Sequence, residues 1–231
     1  ARGPEVPVLP DVSHAQTCGF AQLDIARNGT LVYQRSVAQT PRVLSWIDRA
    51  GHVEPFFNRP DSYQFRRLSP EGRRAYVATT DSGVAQAGAI GGSRTTVSVL
   101  DPASDRMTRL AAVPGGLSGV WTVDGRFLVI GSMKGLHWAR TDDPSRVYSL
   151  TEAATIQVPW SFSRDGMHLA YHSLNPPTAF DLWTVRITES AGKLSPGKPE
   201  LFLRTSSHET YPSFSHDGRW IAYGSGEHGP W

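Results

Sequence analysis

A short phrase recurs five times along this chain, and it limits what the chain can fold into. Residues 68–77 read Leu-Ser-Pro-Glu-Gly-Arg-Arg-Ala-Tyr-Val, and residues 121–129 read Trp-Thr-Val-Asp-Gly-Arg-Phe-Leu-Val. Residues 162–171 read Phe-Ser-Arg-Asp-Gly-Met-His-Leu-Ala-Tyr, residues 214–223 read Phe-Ser-His-Asp-Gly-Arg-Trp-Ile-Ala-Tyr, and a weaker copy at 25–33 reads Ile-Ala-Arg-Asn-Gly-Thr-Leu-Val-Tyr. The shared glycines are Gly29, Gly72, Gly125, Gly166 and Gly218, spaced by 43, 53, 41 and 52 residues. That spacing suits a propeller blade and is too long for most helical solenoid units.

Each copy reads as a short strand ending in Ser or Thr, a two-residue Asp-Gly, Asn-Gly or Glu-Gly turn, and a second strand rich in aromatic and β-branched residues. Turns of that kind need φ > 0, which Gly provides without steric cost and Asn or Asp tolerate. A third strand recurs at Val43–Asp48, Thr96–Asp101, Leu136–Ala139 and Leu182–Ile187, and a fourth at Val53–Phe57, Met107–Leu110, Val147–Leu150 and Leu201–Leu203. Four antiparallel strands per repeated unit is the pattern of a β-propeller. No stretch offers an amphipathic helix with caps. The expected fold is therefore all-β, a propeller of four-stranded blades: four complete blades at about 20–58, 65–112, 117–150 and 157–204, and a partial fifth at 211–231. Residues 1–12, with Glu5-Val6-Pro7-Val8-Leu9, read as the outer strand of a neighbouring blade. The expectation is one incomplete domain, a fragment of a larger, about six-bladed ring, whose open edges favour association.

Composition narrows the function classes. The chain has 231 residues, 39% hydrophobic and 10% aromatic, which is enough to build a core and unlike a disordered chain. Lys plus Arg is 23 and Asp plus Glu is 21, a net charge of +2, which gives no reason to expect nucleic acid or an anionic membrane as partner. One cysteine, Cys18, excludes an internal disulfide and a multi-cysteine zinc site. No apolar run is long enough to span a bilayer. The opening Ala1-Arg2-Gly3-Pro4 reads as a processed chain or a piece of a longer one.

The phrases Tyr211-Pro212-Ser213-Phe214-Ser215-His216-Asp217-Gly218-Arg219-Trp220-Ile221-Ala222-Tyr223 and Trp160-Ser161-Phe162-Ser163-Arg164-Asp165-Gly166 resemble the TolB-like, WD-repeat-like β-propeller family. The resemblance covers nearly the whole chain, and its motifs are specific for the repeat, not for one activity. A closer similarity lies in order: Gly3-Pro4-Glu5-Val6-Pro7-Val8-Leu9, then Ala21-Gln22-Leu23 and Gly29-Thr30-Leu31-Val32-Tyr33, then Leu44-Ser45-Trp46-Ile47-Asp48-Arg49-Ala50-Gly51. That order resembles propellers attached to bacterial serine/threonine protein kinases, in which the propeller follows a kinase domain and a membrane helix. The chain departs from the family at Glu71-Gly72 and Val123-Asp124, where the usual pattern is Pro-Asp-Gly. The resemblance implies an extracytoplasmic or periplasmic setting. It also implies two rival roles, the substrate-gating propeller of a prolyl-oligopeptidase-like serine peptidase and a TolB-like scaffold in an envelope complex.

Several motifs have bland explanations. Gly224-Ser225-Gly226-Glu227-His228-Gly229 matches a dinucleotide fingerprint, yet no helix or distant acidic residue follows, and a hairpin loop explains it better. His168 and His172 have zinc-pair spacing, but on a strand four residues separate them by about 13 Å. Ser69 in Arg66-Arg67-Leu68-Ser69 is explained by its place in a turn, as is the sequon Asn28-Gly29-Thr30. Asp124, Asp165 and Asp217 recur once per blade before Gly, as turn residues, and cannot together supply a calcium site. Trp46, Trp138 and Trp183 share a strand position and read as inter-blade packing. No Gly-x-Ser-x-Gly elbow, kinase loop or triad spacing is present, so no catalytic residue, cofactor or metal is expected in this chain.

Binding residues concentrate on loops. In a propeller, the loops leading into the innermost strand and those joining the second strand to the third surround one mouth of the channel. The former are marked by Tyr63-Gln64, Leu117-Ser118, Ile156-Gln157 and Glu209-Thr210-Tyr211, the latter by Ser82–Ser93 and Asn175–Phe180. Tyr63, Gln64, Gln157, Glu209 and Tyr211 are the candidate partner-binding residues, for a protein, peptide or glycan. The function expected is a non-catalytic binding or sensing platform within a larger bacterial protein.

Overall fold

A computed structural model describes residues 23–25, 29–33, 41–80, 95–110, 113, 116–176 and 179–226. Their strands are all paired antiparallel. The first sheet runs β1 (Leu23–Ile25), β2 (Leu31–Tyr33), β3 (Arg42–Ile47) and β4 (Val53–Asp61) in order. The second repeats the plan with β5 (Tyr63–Leu68), β6 (Ala75–Thr80), β7 (Thr95–Asp101) and β8 (Arg106–Arg109). The third has β9 (Gly119–Trp121), β10 (Phe127–Ser132), β11 (Gly135–Arg140) and β12 (Val147–Ser149). In the fourth, β13 (Gln157–Phe162), β14 (His168–Asn175) and β15 (Ala179–Ser190) are followed by a short hairpin strand, β16 (Lys193–Pro196), and then by the outer strand β17 (Glu200–Leu203). Finally β18 (Glu209–Phe214) pairs with β19 (Ile221–Ser225). This is an all-β propeller of four complete four-stranded blades and a partial fifth, with the third and fourth strands of the four complete blades where the repeat predicts them.

The cores lie between blades, as they must when each sheet is apolar on both faces. Val32, Leu44, Phe56 and Phe57 of blade 1 meet Ala75, Val77 and Leu100 of blade 2. Tyr76, Ala78, Val97 and Val99 on the other face of blade 2 meet Trp121, Leu128, Ile130 and Ala139 of blade 3. Phe127, Val129, Leu136 and Trp138 turn the opposite way, to Leu169, Tyr171, Val185 and Ile187 of blade 4. Neighbouring residues along β10 thus serve different interfaces, and the whole strand is buried. Each Val, Leu, Ile or Phe among them contributes about 1.5–3 kcal/mol on burial. The repeated tryptophans join these seams: Trp138 lies within the blade 3–4 core, Trp183 packs against it, and Trp46 packs against the blade 1–2 core.

The repeat turn is not a two-residue turn. Ser163 N–H donates to His168 O at 2.8 Å and Gly166 N–H to Ser163 O at 2.8 Å, so four residues separate the strands. Thr122–Phe127 and Ser215–Trp220 close the same way. Only the glycines take positive φ, with Gly125 at 70°, Gly166 at 73° and Gly218 at 71°. The aspartate is retained for its side chain. Asp165 Oδ1 accepts from Ser163 Oγ at 2.5 Å and from Met167 N–H at 2.9 Å, and the equivalents at Asp124 and Asp217 match it. A Ser at the first position and Gly at the fourth are the preferences of a loop built on a β-turn.

The unforeseen hairpin β15–β16 turns through Ala191 and Gly192, both at positive φ (51° and 77°). Ala-Gly lacks the Asn-Gly signal, so the sequence does not announce this turn. Its Glu189 reaches back to Arg126 of blade 3 at 3.2 Å. The expected outer strand within residues 1–12 and the loop Ser82–Ser93 lie outside the described residues. Among the described residues no helix is long and apolar enough to cross a membrane.

Candidate functional site on the inner strands

The first strands of successive blades, β1, β5, β9, β13 and β18, pack side by side. They carry a row of polar and aromatic side chains. Asp24 of β1 stands 3.8 Å from the Arg67 guanidinium of β5 and accepts the Leu68 N–H at 3.2 Å. Burial pushes the Asp24 carboxyl above its ordinary pKa, and Arg67 and the amide bonds offset only part of this. Arg67 in turn lies over the Trp160 ring of β13, 5.7 Å from its centre. Arg67 thus spans from blade 2 to blade 4. Between those blades β9 offers Gly119, where a Cβ would stand 2.9 Å from the Tyr76 ring.

Trp160 meets Tyr211 of β18 edge to face at 4.8 Å. Tyr211 holds φ at 60°, a conformation that bulky side chains rarely adopt. It lies within a slip of register between Thr210 and Ser213. The same slip occurs between Tyr63 and Phe65 and between Pro159 and Ser161, so the inner strands of blades 2, 4 and 5 share a bulge. Such bulges re-aim side chains. Behind the pair lies His172 of β14, 5.7 Å from both rings and 4.6 Å from Phe180. Its Nδ1 accepts the Tyr211 N–H at 3.4 Å. Burial, with the neighbouring His208 charge, pulls the His172 pKa down to about 3, so the ring stays neutral as an acceptor.

The five residues singled out in the sequence separate into distinct surroundings. Tyr63 is buried, donates to Arg59 O at 2.6 Å, and is raised to about 12 by burial and by Asp61. Gln157 is buried and its Oε1 accepts from Thr151 Oγ1 at 2.5 Å. Glu209 is fully buried and accepts from Thr205 and Ser225. Gln64 belongs to β5 by its backbone. Tyr211 alone of the five joins the aromatic row. Asp24, Arg67, Trp160, His172 and Phe180 are not among the binding candidates that the sequence offers, because they meet only once separate blades pack together. Arg67 could have been found by aligning the repeats on their glycines, since the matching positions are Val120, Ser161 and Ser213.

Other sequence candidates settle as turn or core chemistry. Ser69 is fully buried, and its Oγ accepts the Arg74 N–H at 3.0 Å. His168 is exposed while His172 is buried. Among the described residues no group of three or more His, Cys, Asp or Glu is placed to hold a metal ion.

No protein-family profile matches the chain, and no curated protein matches it. Its fold, however, matches solved structures. TolB from Acinetobacter baumannii superposes with a TM-score of 0.60 at 17% identity over 83% of this chain. A TolB protein from Agrobacterium tumefaciens gives 0.55 at 15% over 82%, and a prolyl endopeptidase gives 0.59 at 15% over 89%. The chain spans 45%, 64% and 32% of those three structures, respectively. At such identities the likeness establishes the fold alone, a β-propeller.

Proposed function

We propose that this chain is a non-catalytic propeller segment that presents its inner-strand face to a protein or peptide partner, as part of a larger bacterial protein. The observation that carries this reading is the row Asp24, Arg67, Trp160 and Tyr211. It joins side chains of four blades and includes a tyrosine held at a strained φ of 60°. Such strain persists only where the surroundings enforce it, and it concentrates at functional sites. Aromatic rings and an arginine are also the side chains that dominate protein recognition.

Within this reading the segment belongs beside a bacterial serine/threonine kinase, outside the cytoplasm. The order of segments in the sequence supports that placement. The likeness to a prolyl endopeptidase supports a second reading, a propeller that restricts access to an attached peptidase. Sequencing the gene outward separates the two: an upstream kinase and membrane span support the first, a downstream Gly-x-Ser-x-Gly domain the second.

The binding role itself is tested with a photo-crosslinking residue at position 211 and, as a control, at the rim position Tyr148, in the producing cells. The expected result is a discrete adduct from 211 and none from 148. Equal labelling from both, or none from either, would sink the inner-face reading.

A further inference from the structure

One position of the repeat ties neighbouring blades together. Asp24, Arg67, Val120, Ser161 and Ser213 each stand five residues before their turn glycine. In blade 4 the side chain at that position reaches the next blade, where Ser161 Oγ accepts the Phe214 N–H at 3.1 Å. In blade 1 Asp24 Oδ2 accepts the Leu68 N–H at 3.2 Å. Leu68 and Phe214 are themselves matching residues, each four before its glycine. The structural task here is thus to accept one backbone amide, and the neutral hydroxyl of Ser161 performs it as well as a carboxylate.

Arg67 cannot perform that task, because a guanidinium carries five donors and no acceptor. Its link to blade 3 runs through the backbone instead, with the Trp121 indole N–H donating to Arg67 O at 3.0 Å. Nor does Asp24 use up the donors. Its Oδ1 takes the Ile25 N–H at 3.1 Å and its Oδ2 the Leu68 N–H, while the Arg67 Nη1 stands 3.8 Å away, beyond hydrogen-bond distance. Among the described residues the Arg67 guanidinium therefore has an ionic neighbour and the Trp160 face, and no hydrogen bond. Its side chain is 33% exposed, so it is accessible without any opening of the fold.

The unspent donors set the chemistry of what they receive. A planar guanidinium matches a carboxylate with two parallel hydrogen bonds. Asp24 close behind it disfavours a doubly charged group such as phosphate and leaves room for a single negative charge. Trp160 and Tyr211 stand beside the guanidinium, both partly exposed, and offer apolar contact to whatever carries the acceptor.

We infer that Arg67 receives a carboxylate of a bound peptide, an Asp or Glu side chain or the peptide's C-terminus, with the adjoining peptide residues lying against Trp160 and Tyr211. This rests on the proposed peptide-binding reading of the inner face and gives it a ligand chemistry. It also accounts for an arginine at a position where its side chain makes no bond to the next blade.

The test uses the full chain and short acetylated Gly-Phe-Gly peptides of three kinds: amidated with one Glu, amidated with one Gln, and the Gln peptide with a free C-terminus. Binding is followed by calorimetry up to millimolar peptide. The two carboxylate peptides should bind saturably, more weakly as salt rises, and the tighter of them about tenfold more tightly than the neutral one. Whichever is tighter identifies the source of the carboxylate. Arg67→Ser, which copies blades 4 and 5 at this position, should erase the preference while its melting transition stays cooperative. Arg67→Gln should do the same and serves if serine disturbs the seam. Equal binding of charged and neutral peptides, or a preference that survives both variants, would overturn the inference. Equal binding that Trp160→Ala weakens would overturn it while leaving the inner-face reading standing. No binding by any peptide would also overturn it, and the cross-link from position 211 would then decide the inner-face reading alone.

Discussion

His172 shows how one buried side chain sets a pH limit. Above about pH 6.5 the imidazole is neutral whether the chain is folded or not, and the contribution to stability is complete. As pH falls below that value the unfolded chain takes up a proton that the folded chain refuses until about pH 3. Stability therefore falls by about 1.4 kcal/mol per pH unit, or about 2 kcal/mol at pH 5. His172→Gln should flatten this limb in urea titrations at successive pH values. Some slope should remain, because burial also lowers the His137 pKa. An unchanged slope in the variant would refute the assignment. Gly119 makes the second case at this scale. A Cβ there would meet the fully buried Tyr76 ring at 2.9 Å, and the ring is fixed further by its hydroxyl bond to Leu117 O. Gly119→Ala should cost about 1–3 kcal/mol, measured as a lower urea midpoint. Neither role was legible in the sequence. His172 read as one of a pair on a strand, and Gly119 carried no turn signal, because both act through residues distant in the chain. Tyr211 and Glu209 could be named because the repeat fixes where an inner strand begins.

The hairpin is the element the sequence announces most clearly, and the structure departs from the expected turn in one respect. By its letters Ser-x-Asp-Gly suits a two-residue turn at φ > 0, which Gly provides and Asp tolerates. In the structure Gly alone does so, and Asp works through its carboxylate. The same letters suit both geometries, since Asp favours turns either way. The geometry fixes the outcome of substitution. At Gly166 a Cβ would find Val123 at 3.5 Å, an ordinary contact, so the objection to Ala is the φ of 73° and not space. Gly166→Ala should therefore cost about 1–2 kcal/mol, seen as a lower urea midpoint with an unchanged slope. The aspartates act in a different pH window from His172. The Ser163 hydroxyl and the Met167 amide hold the Asp165 carboxyl below its ordinary value. Its contribution is present above about pH 3.9 and is lost as pH falls through the lower folded value. Asp165→Asn should weaken the fold at neutral pH and remove that part of the acid limb, leaving the limb of His172 in place.

At the scale of the whole molecule, four blades bury their apolar faces against one another, while among the described residues of the fifth two large aromatic side chains stay exposed. Five residues after the turn glycine stand Val77, Ile130, Tyr171 and Tyr223. The first three are at most 1% exposed, whereas Tyr223 is 46% exposed and Trp220, three residues earlier, 69%. β6, β10 and β14 each pair on both sides, but among the described residues β19 pairs only with β18. An edge of this length with exposed aromatic side chains is a template for another strand. The repeat made the position legible, because Tyr223 stands at the same offset from its turn glycine as Val77, Ile130 and Tyr171. What repeat counting could not supply was the burial of each face, which depends on which blade lies opposite. The chain should therefore associate through β19 as concentration rises, giving a sedimentation-derived mass that climbs above that of one chain. Trp220→Lys with Tyr223→Lys places two charges on that edge and should hold the mass at the single-chain value over the same range. If both proteins climb alike, association runs through another surface, and the exposed rings of blade 5 have no part in it.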